Sequence, residues 1–420
     1  MAKRFKVGIL NYRENLFDVF LKSFRSEGHE VELFQLSGSG WLDCLHFIEN
    51  GKFDFFLIGN FSALHSWAFG QELETYLADH KKICAIWHWE KIFFSGSGYL
   101  LDRLKRGPLS KNFMFFVTDK DDVAILKAYD IHTIHLPLAV DDALLHFRPD
   151  QKAVKRLSHD LCFSGMPFFL QGIEKNDETA LGNVFVVNNL LEFYSHLVTN
   201  KISPKPSSDV HLRIVNKFSE FYSGIYLNID DFKSALEQLE AALQTDLDSR
   251  ALDYLKKYRY RIAYIYSYFQ LCTYLNRLKK FDIRVYGSPE WSKYLYNYSH
   301  EIPRLSDDEF YTLLHASKIT FCLTKLQFRN FVHERSMMTL ACGGFPITDY
   351  REAIHEIFEK DELICFHSIE EAEDLITYYL KHDEERKKIS QKGQARVFNS
   401  HTYSHRVRTM IDEVQSHFGL

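Results

Sequence analysis

The sequence predicts an α/β protein with two doubly wound, parallel-sheet domains facing a cleft and a helical insertion in the second domain. Three observations predict it. Over the first 140 residues, short apolar runs alternate with amphipathic helical stretches. After a strand-like run and glycine at 161–165, a helical block at about 168–280 interrupts that rhythm. From 282 onward the strand–loop–helix pattern resumes. Strands separated by helical crossovers are the signature of a parallel sheet, because parallel neighbours cannot be joined by a tight hairpin.

The elements follow in order. Strands are predicted at 5–10, 30–36, 54–58, 83–87, 113–117 and 133–136, with helices between them such as 16–26 and 70–78. Functional residues of such sheets gather at the carboxyl ends of strands. Those ends carry Asn11, Gly59-Asn60, His88-Trp89-Glu90 and Thr118-Asp119. Residues 1–150 form the first domain and 151–400 the second, with the boundary near 145–160, and 401–420 form a terminal helix. In the second domain, strands are predicted at 161–164, 282–287, 319–323, 345–348 and 363–366, followed by a helix at 369–381. The block at 168–280 has helical periodicity at 190–197, 231–243 and 249–280. It reads either as an acceptor-recognition or oligomerisation element or as plain connecting helices.

Composition bounds the function. A chain of 420 residues, 46% hydrophobic and 25% charged, is long enough for two cores and is not a disordered composition. The 36 Phe and 23 Tyr are spread along the chain and read mainly as core filler. A net charge of -5 argues against an electrostatic grip on nucleic acid. The basic stretch 381–396 is interleaved with Asp383, Glu384 and Glu385 and reads as a solvated helix face, with contact to an anionic membrane surface left open. The seven cysteines, at 44, 84, 162, 272, 322, 342 and 365, lack CxxC spacing and sit mostly in apolar runs, which predicts buried, reduced thiols. No apolar run approaches the roughly twenty residues of a membrane span. A cytoplasmic protein is therefore expected.

The densest chemical signal is Arg335-Ser-Met-Met338-Thr-Leu-Ala341-Cys-Gly343-Gly344, followed some fifty residues later by His401-Thr402-Tyr403-Ser-His405-Arg406. A basic residue near a helix N-terminus and glycines that allow close backbone approach suit a phosphate. These two segments resemble the donor-binding region and closing segment of the CgeB-like (spore maturation protein B) glycosyltransferases. The patterns of that family are Arg-x-Phe-Glu-x-x-Ala-Cys-Gly and His-Thr-Tyr-x-His-Arg. Leu136-Pro137-Leu138-Ala139-Val140-Asp141 and Phe163-Ser164-Gly165 resemble its interdomain passage. The resemblance implies the GT-B architecture: two Rossmann-like domains, the second holding a nucleotide diphosphate sugar and the first presenting the acceptor. It also implies that the His401–Arg406 segment returns onto the sheet as a packing element, His401 and His405 included.

The donor side is expected to use Lys325, Arg329 and Arg335 as cations for the diphosphate, with Gly165, Gly287, Gly343 and Gly344 where the ligand approaches. Each has a plainer reading. Arg335 could pair with Glu334, the glycine pair could be a helix C-cap, and Gly165 and Gly287 could be ordinary strand ends. Met338 stands where the family carries a ribose-binding Glu, and a thioether is a poor acceptor for hydroxyls. On the acceptor side, His88 and Glu90 are the candidates for a general base, placed on one side by strand alternation, against a core histidine and a surface carboxylate as the plain reading. His65 is a lesser candidate. No Asp-x-Asp stands at a strand end, so neither a catalytic metal nor a cofactor beyond the nucleotide sugar is expected. The expected partners are a nucleotide sugar and a protein or glycan acceptor. The function expected is transfer of a sugar from a nucleotide diphosphate to a hydroxyl. A catalytically silent sugar-nucleotide or glycan binder and a sugar-nucleotide epimerase remain as rivals.

Overall fold

The structure, a computed structural model, describes residues 3–11, 17–65, 72–90, 92, 98–165, 270–272, 274–293, 295, 298–325, 328 and 330–420. The predicted insertion at 168–280 lies outside the described residues except for its last stretch, from 270.

The first sheet is built from β1 (Lys6–Asn11), α1 (Asp18–Ser26), β2 (Glu30–Gln35), α2 (Trp41–Asn50), β3 (Phe55–Gly59), α3 (Glu72–Asp79), β4 (Cys84–His88), α4 (Gly98–Lys105), β5 (Phe113–Val117), α5 (Asp121–Lys127) and β6 (Thr133–His135). All its pairings are parallel, in the order β2-β1-β3-β4-β5-β6. Strands β3, β4 and β5 are buried along their whole length. Helices on both faces explain why they read as continuous apolar runs rather than as alternating ones.

After α6 (Gln151–Leu157) come β7 (Leu161–Ser164), β8 (Arg284–Tyr286), α7 (Asp307–Ala316), β9 (Ile319–Cys322), α8 (Glu334–Ala341), β10 (Pro346–Asp349), α9 (Ile354–Ile357), β11 (Ile364–Phe366), α10 (Ile369–Tyr379), α11 (Asp383–Ser400) and α12 (Tyr403–Phe418). The second sheet is also parallel, in the order β11-β10-β9-β7-β8. The two doubly wound sheets are thus present as expected. Strand β8 is shorter than the predicted 282–287, because Asp282 and Gly287 both take positive φ and bend the chain at its two ends. The strand order reverses between β1 and β3 in the first sheet and between β7 and β9 in the second. A crevice forms outside the carboxyl ends of strands at such points.

The chain crosses between the two units twice, and the crossings are joined. Val140 forms a parallel bridge with Thr402. The Arg406 guanidinium, buried at the start of α12, donates to the carbonyls of Pro137, Leu138 and Ser400. Helix α12 then lies on α1, with Tyr403 edge-on to Phe20 at 5.0 Å and to Trp87 at 6.1 Å. Arg408 makes a two-pronged pair with Glu27. One apolar core, running from Phe5 and Trp87 to Met337, Val397 and Val414, is shared by both units. His405 bonds Thr402 as part of the α12 capping box, and His401 contacts Arg406. This is the packing return that the terminal motif predicts.

All seven cysteines are free thiols and six are buried. Burial pushes Cys44, Cys272, Cys322 and Cys342 up to about 12, which keeps them protonated and inert. Among the described residues, no helix is long and apolar enough to cross a membrane.

Candidate functional site

At the second sheet's crevice, Arg335 occupies the first turn of α8. His333 caps that helix, its Nδ1 accepting the Arg335 N–H at 3.1 Å. Desolvation, with Arg335 and Lys325 adding like charge, drives His333 well below its ordinary range. The ring is therefore neutral at pH 7, as an accepting cap must be. The Arg335 guanidinium stands over the Phe163 ring, 5.5 Å from its centroid. That contact orients the planar cation before any ligand arrives.

Gly165 and Gly287 end the neighbouring strands β7 and β8 beside it. A Cβ at Gly165 would lie 3.8 Å from an Arg335 guanidinium nitrogen and press on the Phe163 ring. Gly287 has φ +123, and a Cβ there would stand 2.0 Å from the Gly165 carbonyl oxygen, so only glycine fits. Lys325, half-buried at the end of β9, joins the group: its charge and that of Arg335 both act on Glu334. Desolvation nevertheless outweighs them and raises the Glu334 carboxyl above its usual value. The crevice thus gathers Gly165, Gly287, Lys325 and Arg335.

The glycines do not supply amides. The Gly165 N–H donates to the Tyr286 carbonyl and the Gly287 N–H to that of Pro303, both at 3.0 Å. Their contribution is clearance for other groups. Gly343 and Gly344 lie at the other end of α8. The Gly343 N–H donates to Leu340 and the Gly344 N–H to Thr339, the paired 5→2 and 6→1 bonds of a Schellman cap. Gly343 has φ +78, and a Cβ on Gly344 would meet the Leu314 carbonyl oxygen at 2.0 Å. The plain reading of a helix C-cap fits this pair: an eight-residue helix, roughly 12 Å of rise, separates it from Arg335, and both amides are committed to the cap. Met338 is half-buried one turn beyond Arg335, with its thioether packed on the shared core. Arg329 lies outside the described residues.

On the first sheet's carboxyl edge, His88 is buried. Its Nδ1 accepts the Phe61 N–H at 3.4 Å, and its Nε2 has no partner among the described residues. Burial draws it down to about 4. A ring that is neutral and enclosed in this way fits the plain reading of a core histidine. Strand β4 ends at His88, so strand alternation does not carry on to Glu90, which is half-exposed. The main chain between them is held, with the Trp89 N–H on Asn60 Oδ1 at 3.1 Å and the Trp89 carbonyl on Thr118 Oγ1 at 3.1 Å. The His65 side chain lies outside the described residues.

Several participants escaped sequence reasoning. The Lys120 N–H donates to the Asn330 carbonyl, Asn330 Nδ2 donates to Asp121 Oδ1 at 2.6 Å, and Lys120 pairs with Glu356. The end of β5 thereby meets the loop after β9. Asp349 and Arg351, closing β10, form a buried ion pair at 2.7 Å. A carboxylate at a predicted strand end was the one available signal for it. Among the described residues, no group of three or more His, Cys, Asp or Glu is arranged to hold a metal ion.

A protein-family model described as "Glycosyl transferase-like" matches residues 269–412, the segment that carries Gly287, Lys325 and Arg335. Among curated proteins, none matches the sequence. Similar solved structures include a glycosyltransferase from Rickettsia africae, 10% identical, covering 100% of this chain and 99% of that one, with a TM-score of 0.47. The Anabaena HepE protein in complex with UDP-glucose is 9% identical, covers 98% of this chain and 100% of its own, and has a TM-score of 0.49. A T4 phage BGT variant in complex with UDP-glucose is 12% identical, with 98% of each chain covered and a TM-score of 0.45.

Proposed function

We propose that the chain is a metal-independent glycosyltransferase that moves a sugar from a nucleotide diphosphate donor to a hydroxyl of a protein or glycan. The observation that carries the reading is the family match over 269–412, coinciding with the Arg335–Lys325 crevice at the strand reversal of the second sheet. As the glycosidic bond breaks, negative charge accumulates on the departing diphosphate. Two cations and the positive end of α8 then stabilise charge that develops in the transition state. Arg335, held flat by Phe163, pairs with phosphate oxygens, and Lys325 adds a point charge. The absence of side chains at Gly165 and Gly287 lets the two strand ends, the Phe163 ring and the Arg335 guanidinium pack closely at the site. On the acceptor side Glu90 is the better placed of the two expected groups, being half-exposed where His88 is enclosed.

A second reading, a silent sugar-nucleotide binder, is favoured by Met338, which leaves the donor ribose without the acceptor expected there. Incubation with a panel of nucleotide sugars separates the possibilities. Release of nucleoside diphosphate supports the transferase, and thermal stabilisation without turnover supports the binder. Isomerised donor would indicate an epimerase, and no stabilisation by any nucleotide sugar would defeat all three.

A further inference from the structure

We infer that Asp349 and Arg351 are positioning residues for Lys325, a reading that rests on the donor site proposed above. The buried pair grips the main chain of Thr324 and so sets where the adjoining ammonium stands in the crevice.

Register brings these groups together. Thr348 pairs with Cys322 across β10 and β9, so the next residue, Asp349, arrives beside the chain leaving β9. Its Oδ1 accepts the Thr324 N–H at 2.6 Å, and its Oδ2 takes Arg351 Nε at 2.7 Å. Arg351 Nη2 reaches the Thr324 carbonyl in a longer bond of 3.4 Å. Both main-chain polar groups of Thr324 are therefore held by one ion pair. Its hydroxyl, by contrast, is buried with no partner among the described residues. It is the main chain that is being placed.

Stability alone does not account for such a pair. Buried ion pairs are often no better for folding than apolar groups of the same volume, because both charges lose their hydration. What the pair supplies is a fixed direction for the chain. The following residue, Lys325, acts electrostatically on His333 and Glu334 together with Arg335, which puts its charge at the start of α8. The loop is tied again at Asn330, by Asp121 and by the Lys120 N–H of the first unit. Arg351 and Asp349 are too enclosed to touch a ligand themselves, at 5% and 8% exposure. They act through Lys325.

The test reads Lys325 directly. The acylation rate of its amine by an N-hydroxysuccinimide ester is measured by mass spectrometry on the full chain, with exposed Lys387 as internal reference. Asp349→Ala should change the Lys325 rate about fivefold or more while Lys387 is unaltered, and Asp349→Asn, which keeps an acceptor for the Thr324 N–H, should restore most of it. A Lys325 rate equal to wild type in folded Asp349→Ala overturns the inference. If Asp349→Ala does not fold, the paired change Asp349→Ala with Arg351→Met, which leaves neither an uncompensated charge nor an acceptor for the Thr324 N–H, is read in its place by the same criterion. A second arm measures UDP and GDP affinity. Asp349→Ala should weaken binding roughly tenfold, and should weaken it no further when Lys325→Ala is already present, the non-additivity of coupled residues. Additive losses overturn the inference. Wild-type protein that binds neither nucleotide defeats the donor reading instead, and the acylation arm still decides the positioning role.

Discussion

The carboxyl edges of the two sheets share a topology and differ in charge. Along the second edge stand Arg335 and Lys325, half-buried near the strand ends Gly165 and Gly287, with the one carboxylate at the end of β10, Asp349, neutralised by Arg351. Along the first stand Asn60, His88, Thr118, Asp119 and Asp122, all buried, and the half-exposed Glu90. Among the described residues, the second edge is cationic, whereas the first is mixed in charge, with Lys120 next to the buried Asp119. The difference teaches that a strand reversal provides a place, while side-chain electrostatics decide what goes there. Under the donor reading proposed above, the second edge supplies the cations that a diphosphate needs.

The comparison can be broken at its strongest point. Arg335→Ala should weaken nucleoside diphosphate binding by about 2–4 kcal/mol, as loss of a desolvated charge partner does, with the melting temperature nearly unchanged. Calorimetric titration showing wild-type affinity would remove Arg335 from the site. The first edge is sharpened by pH. His88 falls to about 4 in the folded chain against 6.5 unfolded. Above pH 6.5 neither state is protonated and the ring contributes nothing to pH dependence. As pH drops from 6.5 toward 4, the unfolded chain takes up the proton first and stability is lost, by about 3 kcal/mol in all. Urea unfolding of His88→Leu should show a correspondingly shallower decline between pH 6.5 and 4 than wild type, and an identical decline would place the ring in contact with water. Gly343→Ala tests the far end of α8. It should cost about 1–2 kcal/mol of stability, because φ +78 disfavours an L side chain, and should leave nucleotide affinity intact. A lost affinity would return the glycine pair to the site. The smallest effect is expected from Met338→Glu, which supplies a ribose acceptor. Binding should tighten by about 1 kcal/mol, and a weakened or unchanged affinity would show that the ribose lies elsewhere.

Much of the fold was legible because its strands are buried on both faces. Runs such as 54–58, 83–87 and 113–117 can hardly be anything but central parallel strands, and the structure places them in β3, β4 and β5. The site was legible only in pieces, for identifiable reasons. Glycine pairs serve phosphate loops and helix C-caps equally well, so Gly343-Gly344 could not be told apart by residue type, and its hydrogen bonds settled it as a cap. Alternation linked His88 to Glu90 only as long as the strand continued, and β4 stops at His88. The Asp349–Arg351 grip on Thr324 depends on the register between β9 and β10, which no local pattern reveals. The segment at 168–280 showed helical period but no chemistry, and it lies outside the described residues up to 270.

The seating of α12 on α1 has a consequence for biosynthesis. Phe20 and Trp87 belong to the first sheet and its helices, yet the ring that covers them, Tyr403, is made more than 300 residues later. During translation the nascent first domain therefore carries an uncovered aromatic wall until α12 has been made. Chaperone demand should concentrate in that interval, and emergence of α12, rather than of the first sheet, is the moment at which that domain reaches its final stability.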